Sequence, residues 1–496
     1  MQEILINAGA AEIRVAVVED GKLQALTGDR TFDSAAERNG LRIGDIVLGR
    51  VQRVVPAVQA AFVGIGHDRA GFLGAREAYC LAAAPHDRDL AIGDLVREGD
   101  AVLVQVIKDE IGDKGARLTA SVTIPGRLCV LAPFQPHISV SRRIENEAER
   151  ERLLALGEAL IADDSGELAA GAGYIFRTAA IGARFEDVRE DARRLAQVWQ
   201  AIMAARKKAE PPATLHRDLS AVERALRDLV HDDTARILID DAAAAEAARA
   251  YCRLVLPHAA DRIELFTGPG ALFDMHDLET DIYGLSRPRV PLPSGAWLTI
   301  EGTEALTAVD VNSGSFTHAH DLEDTGLSVN LEAACELGRQ LRLRGIGGLI
   351  VVDFIHMRET QHMDRVLDAL MQSLTKDGVP VTVSPMSQAG LVEITRKRVR
   401  EPLASLAGEN CAVCSGQGLV RRPDAVAMDI LRLVEAGARA APGSAICVRA
   451  APDVVRWIEE QGASLRAALA RRGASRVSFE ADATYSHERF DVATIV

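Results

Sequence analysis

This sequence has no excess of positive charge: 71 Asp and Glu stand against 57 Lys and Arg, a formal net charge of -14 over 496 residues. A global attractive field for nucleic acid is excluded, so any such binding has to come from local basic grooves. Cysteine is sparse and irregularly spaced (Cys80, Cys129, Cys252, Cys335, Cys411, Cys414 and Cys447), which speaks against a disulfide framework and for a reducing, cytoplasmic compartment. No uncharged apolar run reaches the ~18 residues of a membrane helix. The opening Met1-Gln-Glu-Ile-Leu-Ile-Asn7 lacks the basic-then-apolar pattern of a secretory signal. Fixed-period repeats and low-complexity tracts are absent too. What remains is a globular composition, 48% hydrophobic and 26% charged, at a length that calls for several domains.

Two apolar strands, each ending in a carboxylate, carry the clearest chemistry: Ala305-Leu-Thr-Ala-Val-Asp310-Val-Asn312-Ser313 and Gly347-Gly-Leu-Ile-Val-Val-Asp353-Phe-Ile355. Between them, Asn330 to Arg344 carries small or apolar residues at 331, 334, 335, 338 and 341, a helical stripe. Strand, helix and strand predict a right-handed crossover with parallel strands, which brings Asp310 and Asp353 to the same end of a sheet. Two carboxylates and the Asn312 amide there suit a hard divalent cation; magnesium takes one or two protein carboxylates and keeps several waters. Taken alone, two Asp residues that merely end strands and begin turns fit the pattern as well.

Punctuation divides the rest. Residues 3 to 27 alternate around Glu19-Asp20-Gly21 as a hairpin that packs on a later domain. Gly44 to Val51, Ala60 to Gly66, Ala70 to Leu73 and Gly99 to Val106 read as short strands with Gly turns, an all-β barrel pattern. Helical periodicity begins near 145, Pro211-Pro212 marks a connector, and a small α/β unit follows from about 215. The two-Asp unit comes after Ser294-Gly295, with a short αβ tail behind it.

In the barrel, Phe62, Phe72 and Lys114 combine aromatic faces with a cation, the equipment for stacking bases and tracking a phosphate backbone; a strand Phe is more often core. Ser141-Arg142-Arg143 and Arg177-Thr178 offer guanidinium groups beside a hydroxyl and main-chain amides, a terminal-phosphate clamp or an ordinary solvated pair. The pair in Cys411-Ala-Val-Cys414-Ser-Gly416-Gln-Gly418 is half of a tetrahedral zinc site. Its simplest completion is the same pair from another subunit, against a redox pair or two free thiols. The basic run Thr395-Arg396-Lys397-Arg398-Val-Arg400 reads as a solvated helix face, near enough to the two-Asp unit to steer phosphate. His318 and His320 read as solvated loop residues.

Taken together, Thr303 to Ser313, Asn330 to Ala334, Arg339 to Arg344, Gly347 to Ile355, Gly390 to Arg398 and the Cys-x-x-Cys-x-Gly-x-Gly run resemble the bacterial ribonuclease E/G endoribonucleases over nearly the whole chain. The short stretch after the Cys pair resembles the ribonuclease G branch more than ribonuclease E with its long disordered tail. The resemblance implies a multidomain α/β and β fold: N-terminal strands at 1–35 packing on an RNase H-like α/β subdomain at 216–285, and an S1-type OB-fold barrel at 36–120. It also implies a 5'-phosphate sensor region at 121–215, a DNase I-like α/β catalytic subdomain at 286–407, a zinc link at 408–420 and a small C-terminal αβ domain at 421–496. It makes Asp310 and Asp353 the magnesium ligands, with Asn312 orienting them, and Phe62, Phe72 and Lys114 RNA contacts. Gly126, Val130, Arg142, Arg177 and Thr178 become the 5'-monophosphate sensor, and Cys411 and Cys414 hold a zinc shared between subunits of a homodimer or higher oligomer. The implied activity is cleavage of single-stranded A/U-rich RNA, in ribosomal RNA precursors and messenger RNA, leaving 5'-phosphate and 3'-hydroxyl ends.

Two positions depart from the family pattern. His356 stands where Asp-Phe-Ile-Asp-Met is usual, replacing an outer acid and altering metal affinity, and Lys376-Asp-Gly-Val-Pro380 lacks an evident basic residue for the sensor. The competing reading from another class is an RNA-binding or ribosome-associated protein that keeps the fold and cleaves nothing; a third is a DNA nuclease.

Overall fold

The computed structural model describes residues 1–30, 41–82, 90–108, 115–162, 166–314, 322–399, 402–403, 408–409, 411–414, 416 and 418–495. The chain divides into two compact units, Met1–Leu403 and Ala404–Val496.

In the first sheet of the first unit, the hairpin Glu12–Glu19 and Lys22–Arg30 turns at Asp20 (φ 49°) and Gly21 (φ 76°), the left-handed pair that a tight two-residue turn requires. Strand Gln2–Ala8 pairs antiparallel with Glu12–Glu19 and parallel with Thr234–Ile239, Ile4 facing Ile237. Ile4, Ile6, Ile237 and Ile239 pack under the helices Ala221–Leu229 and Ala242–Val255, whereas Leu5, Val18, Leu23 and Leu238 pack against Leu272, Phe273 and Leu343. Both faces of this sheet are buried, unlike the one-sided burial that an alternating pattern implies.

The second sheet closes on itself. Its strands follow in the order Ile46–Val55, Ala60–Gly64, Gly71–Gly74, Arg117–Thr119 and Ala101–Lys108, and the last pairs back to the first. Val47, Val63, Leu73, Val104 and Leu118 fill this small barrel. Strand Ala213–His216, just past Pro211-Pro212, pairs with Ile46–Val55, so the segment after the connector also belongs to the barrel sheet. A third sheet, ordered Ile138–Val140, Gly173–Phe176, Cys129–Ala132 and Ile124–Pro125, packs on the helices Glu147–Ala162 and Phe185–Arg206.

The fourth sheet runs Arg289–Pro291, Trp297–Gly302, Thr307–Asn312, Gly348–Asp353, Leu391–Arg396 and Val381–Val383. One face, with Leu298, Ile300, Val309, Val311, Ile350, Val352, Val392 and Ile394, is buried with residues of the helices Leu322–Arg344 and Thr360–Thr375. Each such aliphatic side chain contributes about 1.5–3 kcal/mol on burial. The two helices cross closely at Gly338, where a Cβ would collide with Ser373. The covered stripe differs from the expected one: Ala333, Ala334, Leu337, Gly338 and Leu341 are buried, Leu331 is half-buried and Cys335 is exposed. The polar Asn330 is fully buried, which no apolar periodicity would select.

The second unit has three strands, Val477–Ala481, Ala445–Ala450 and Phe490–Ile495, in that order. Its core joins Val448 and Ile446 to Val426, Ile430 and Val434 of Pro423–Ala440 and to Val454 and Ile458 of Pro452–Glu460. Among the described residues, no helix is long and apolar enough to cross a membrane.

Candidate active site and nucleic-acid interface

Strands Thr307–Asn312 and Gly348–Asp353 are parallel neighbours, and Asp310 is the register partner of Asp353. In-register residues of adjacent strands share a face at a strand spacing of about 4.8 Å, so both carboxylates lie side by side. That face is the open one: Asp310 and Asp353 are exposed, whereas Val309, Val352 and Phe354 are buried beneath them. Asn312 Nδ2 donates to Asp310 Oδ2 at 2.7 Å, holding one carboxylate oxygen in place. The row continues outward, Arg289 opposite Thr299, Thr299 opposite Asp310 and Leu391 opposite Asp353.

Two residues outside the expected set shape this end of the sheet. Asn330 clasps the chain after Asp353 in both directions, its Nδ2 donating to the Ile355 carbonyl at 2.8 Å and its Oδ1 accepting from the Ile355 amide at 3.0 Å. Gly390 (φ 86°) comes so near that a Cβ would stand 2.9 Å from the Phe354 carbonyl oxygen. A larger residue there would push strand Leu391–Arg396 away from Asp353. His356 is exposed beyond this clasp.

The donor set fits magnesium. Two carboxylates on an exposed face, one of them steadied by an amide, leave most of an octahedral shell to water and phosphate oxygens, as that ion prefers. Among the described residues, no group of three or more His, Cys, Asp and Glu is placed to hold a metal ion, so no richer cage competes with the pair.

On the barrel, Phe62 and Phe72 are register partners on adjacent strands, half-exposed and stacked edge to face with centroids 6.1 Å apart. Their neighbours Ala61, Val63 and Leu73 take the interior, so the two rings face outward. Arg53 pairs with Phe62, Arg117 with Phe72 and Lys108 with Arg117. A lateral row of cation, two aromatic rings and two more cations therefore crosses the barrel surface, the composition of a single-strand track. Arg53, Lys108 and Arg117 escaped the sequence reading because strand pairing, not spacing, brings them to the rings. Lys114 lies outside the described residues, as do His318, His320 and Arg400.

The sensor candidates gather on the third sheet. Val130 pairs with Ile175, and Ser141 donates its amide to the Phe176 carbonyl, which sets Arg142 beside the start of Arg177-Thr178. Arg177 is already engaged, Nη1 donating to the Gly126 carbonyl at 2.6 Å and Nη2 to Asp228 Oδ1 at 2.7 Å. Asp228, missed from sequence, also accepts two bonds from the buried Arg227. Burial would raise the Asp228 carboxyl, yet the hydrogen bonds and charges of Arg227 and Arg177 outweigh it and hold it below the usual carboxylate range. Gly126 must be glycine, since a Cβ would stand 2.5 Å from Asp191 Oδ2. The loop holding Gly378 lies against Arg143, whose Cδ would be 3.1 Å from a Cβ at that glycine. Arg143 thus brings a guanidinium to a loop whose own residue at the contact has no side chain.

The basic run departs from expectation. Arg396 ends a strand rather than lying on a helix, and it is buried, donating to Asp377 Oδ2 at 2.6 Å and the Ile346 carbonyl at 3.2 Å. Only Lys397 and Arg398 of its described cations are exposed. In the second unit, Cys411 and Cys414 share one turn ahead of the helix Pro423–Ala440. The Cys414 and Val413 amides, then the Cys414 thiol, point at the Cys411 sulfur and lower its pKa. The Gly418 amide donates to Cys414 Sγ at 3.4 Å. Two sulfurs so placed suit half of a zinc tetrahedron.

Comparison with known proteins meets this geometry from outside. The sequence pattern of the Ribonuclease E/G family matches residues 123–399, and that of the RNase E/G thioredoxin-like domain matches residues 410–495. Ribonuclease G of Escherichia coli (strain K12) is 37% identical over 496 residues, covering 99% of both chains. Ribonuclease G of Haemophilus influenzae is 34% identical over 500 residues with the same coverage. Ribonuclease E of E. coli K12 is 38% identical over 444 residues, which are 88% of this chain and 40% of that one. With the match running through the acid row, the sensor sheet and the cysteine turn alike, the chain belongs to the ribonuclease E/G family.

Proposed function

We propose that this chain, an endoribonuclease by family, is magnesium-dependent and cuts single-stranded A/U-rich RNA in ribosomal RNA precursors and messenger RNA. The products carry 5'-phosphate and 3'-hydroxyl ends, and a 5'-monophosphate on the substrate stimulates the reaction. The observation that carries this reading is the in-register pair Asp310 and Asp353 on an open sheet face, with Asn312 bonded to Asp310.

Each group of residues then has a task. Asp310 and Asp353 hold the cation, and Asn312 keeps Asp310 Oδ2 turned in one direction. When bound, magnesium supplies Lewis-acid charge against the phosphoryl oxygens and lowers the pKa of a coordinated water. Phe62 and Phe72 stack bases while Arg53, Arg117 and Lys114 follow the backbone, which delivers the strand extended to the carboxylates. Gly126, Val130, Arg142, Arg177 and Thr178 receive the 5'-phosphate, with Asp228 orienting the Arg177 plane. On this reading the barrel is an S1-type OB-fold, the first sheet RNase H-like and the fourth DNase I-like. Cys411 and Cys414 bind a structural zinc with the same pair of a second copy, joining a homodimer or larger assembly in the cytoplasm.

A labelled RNA strand incubated with magnesium, with chelator, and beside a DNA strand of the same sequence tests the proposal. Cutting of RNA only, and only with metal, is expected. Retention of uncut RNA under all conditions would instead identify a binding protein.

A further inference from the structure

We infer that Arg289, propped on Trp297, is a phosphate-binding residue for the RNA strand on the open face of the catalytic sheet, a contact that lies beside the acid pair and outside the barrel and sensor. It rests on the nuclease reading above and adds a substrate contact to it.

The Arg289 guanidinium carbon lies 3.9 Å from the centroid of the Trp297 ring. Trp297 is half-buried and pairs with Asn312, whose amide holds Asp310. Its ring edge is backed by Gly314, where a Cβ would come within 3.0 Å of Trp297 Cζ3. The indole is therefore wedged beside the acid site, and it offers one face to the arginine. Register puts Arg289 in the same lateral row as the acids, through Thr299, two strand spacings or about 10 Å from Asp310. Arg289 is exposed, and among the described residues its side chain has no carboxylate or hydrogen-bond partner.

Those facts point to one ligand class. Stacking occupies the flat face of the guanidinium and leaves its in-plane N–H donors, which match two oxygens of a phosphodiester. The rest of the open face carries the exposed carboxylates Glu301, Asp310, Asp353 and Glu393, which repel an RNA backbone. A fixed cation at the end of the acid row offsets that repulsion on one side of the cleaved linkage. A purely structural role predicts an internal acceptor for the guanidinium, and none is present among the described residues.

The test uses the full chain and a fluorescent single-stranded RNA in chelator, so that nothing is cut, with anisotropy read across a series of salt concentrations. Arg289→Gln is expected to weaken binding about three- to tenfold at 0.15 M salt and to flatten the plot of log K against log salt by about 0.7, the contribution of one single-strand phosphate contact. Arg289→Lys keeps the charge without the planar fork and should keep the slope. Trp297→Leu removes the prop and should weaken binding by a smaller factor. An unchanged slope with Arg289→Gln, whether or not affinity falls, overturns the phosphate contact and leaves the nuclease reading standing. Failure of the unaltered protein to bind RNA at all would sink both.

Discussion

Two sheet faces in the first unit solve opposite problems with the same device. On the barrel, a row across the strands reads Arg53, Phe62, Phe72, Arg117 and Lys108; on the fourth sheet, a row reads Arg289, Thr299, Asp310, Asp353 and Leu391. The first gathers cations and π faces, so on the proposed reading it attracts RNA without a metal. The second gathers two carboxylates that repel RNA, so its proposed chemistry needs a cation between acid and phosphate. On the proposed reading most of the grip is thus separated from the chemistry, and a chain of net charge -14 would hold RNA on a local row and keep its acids where a metal can use them.

The largest test of that separation is Asp310→Asn. Cleavage should fall by about a thousandfold or more, the value of several kcal/mol of charge stabilisation, while RNA affinity measured in chelator stays within about twofold; equal loss of binding would erase the distinction. Next comes Phe62→Ala with Phe72→Ala. At about 1–3 kcal/mol per stacked base, binding should weaken at least tenfold, and cleavage at saturating RNA should be much less affected. A collapse of the saturated rate would show the barrel taking part in the chemistry.

Arg177→Ala should narrow the rate ratio between 5'-phosphate and 5'-hydroxyl RNA by roughly tenfold, in line with about 1.5–3 kcal/mol for a charged hydrogen bond. No change would remove Arg177 from the sensor. The smallest effect on cutting per protomer is expected from Cys411→Ser with Cys414→Ser. That variant should lose zinc by metal analysis and move toward monomer in size-exclusion chromatography; a zinc-free wild-type dimer would count against the link.

What the sequence makes legible follows from physical range. The crossover carrying Asp310 and Asp353 is local, an apolar strand, a helix and another strand, so its topology predicts the parallel pairing that the structure has. The rows themselves are not local. Thr299 and Arg289 reach Asp310 through antiparallel neighbours, and the partner of Gln2–Ala8 is Thr234–Ile239, pairings that no single-strand pattern specifies. Polar residues mislead for a related reason. Asn330 looks like a helix surface residue until Ile355 supplies both of its partners, and Arg396 looks solvated until Asp377 is seen to neutralise it. Periodicity reads apolar faces well; it cannot see a polar group whose partner lies elsewhere in the chain.

The most direct measurement is anomalous diffraction from crystals soaked in manganese, an ion of magnesium-like oxygen preference. A peak between the Asp310 and Asp353 carboxylates, lost in Asp310→Asn, is predicted. Clear density for both side chains with no peak between them, in crystals that bind manganese elsewhere, would contradict the metal-holding role of the pair.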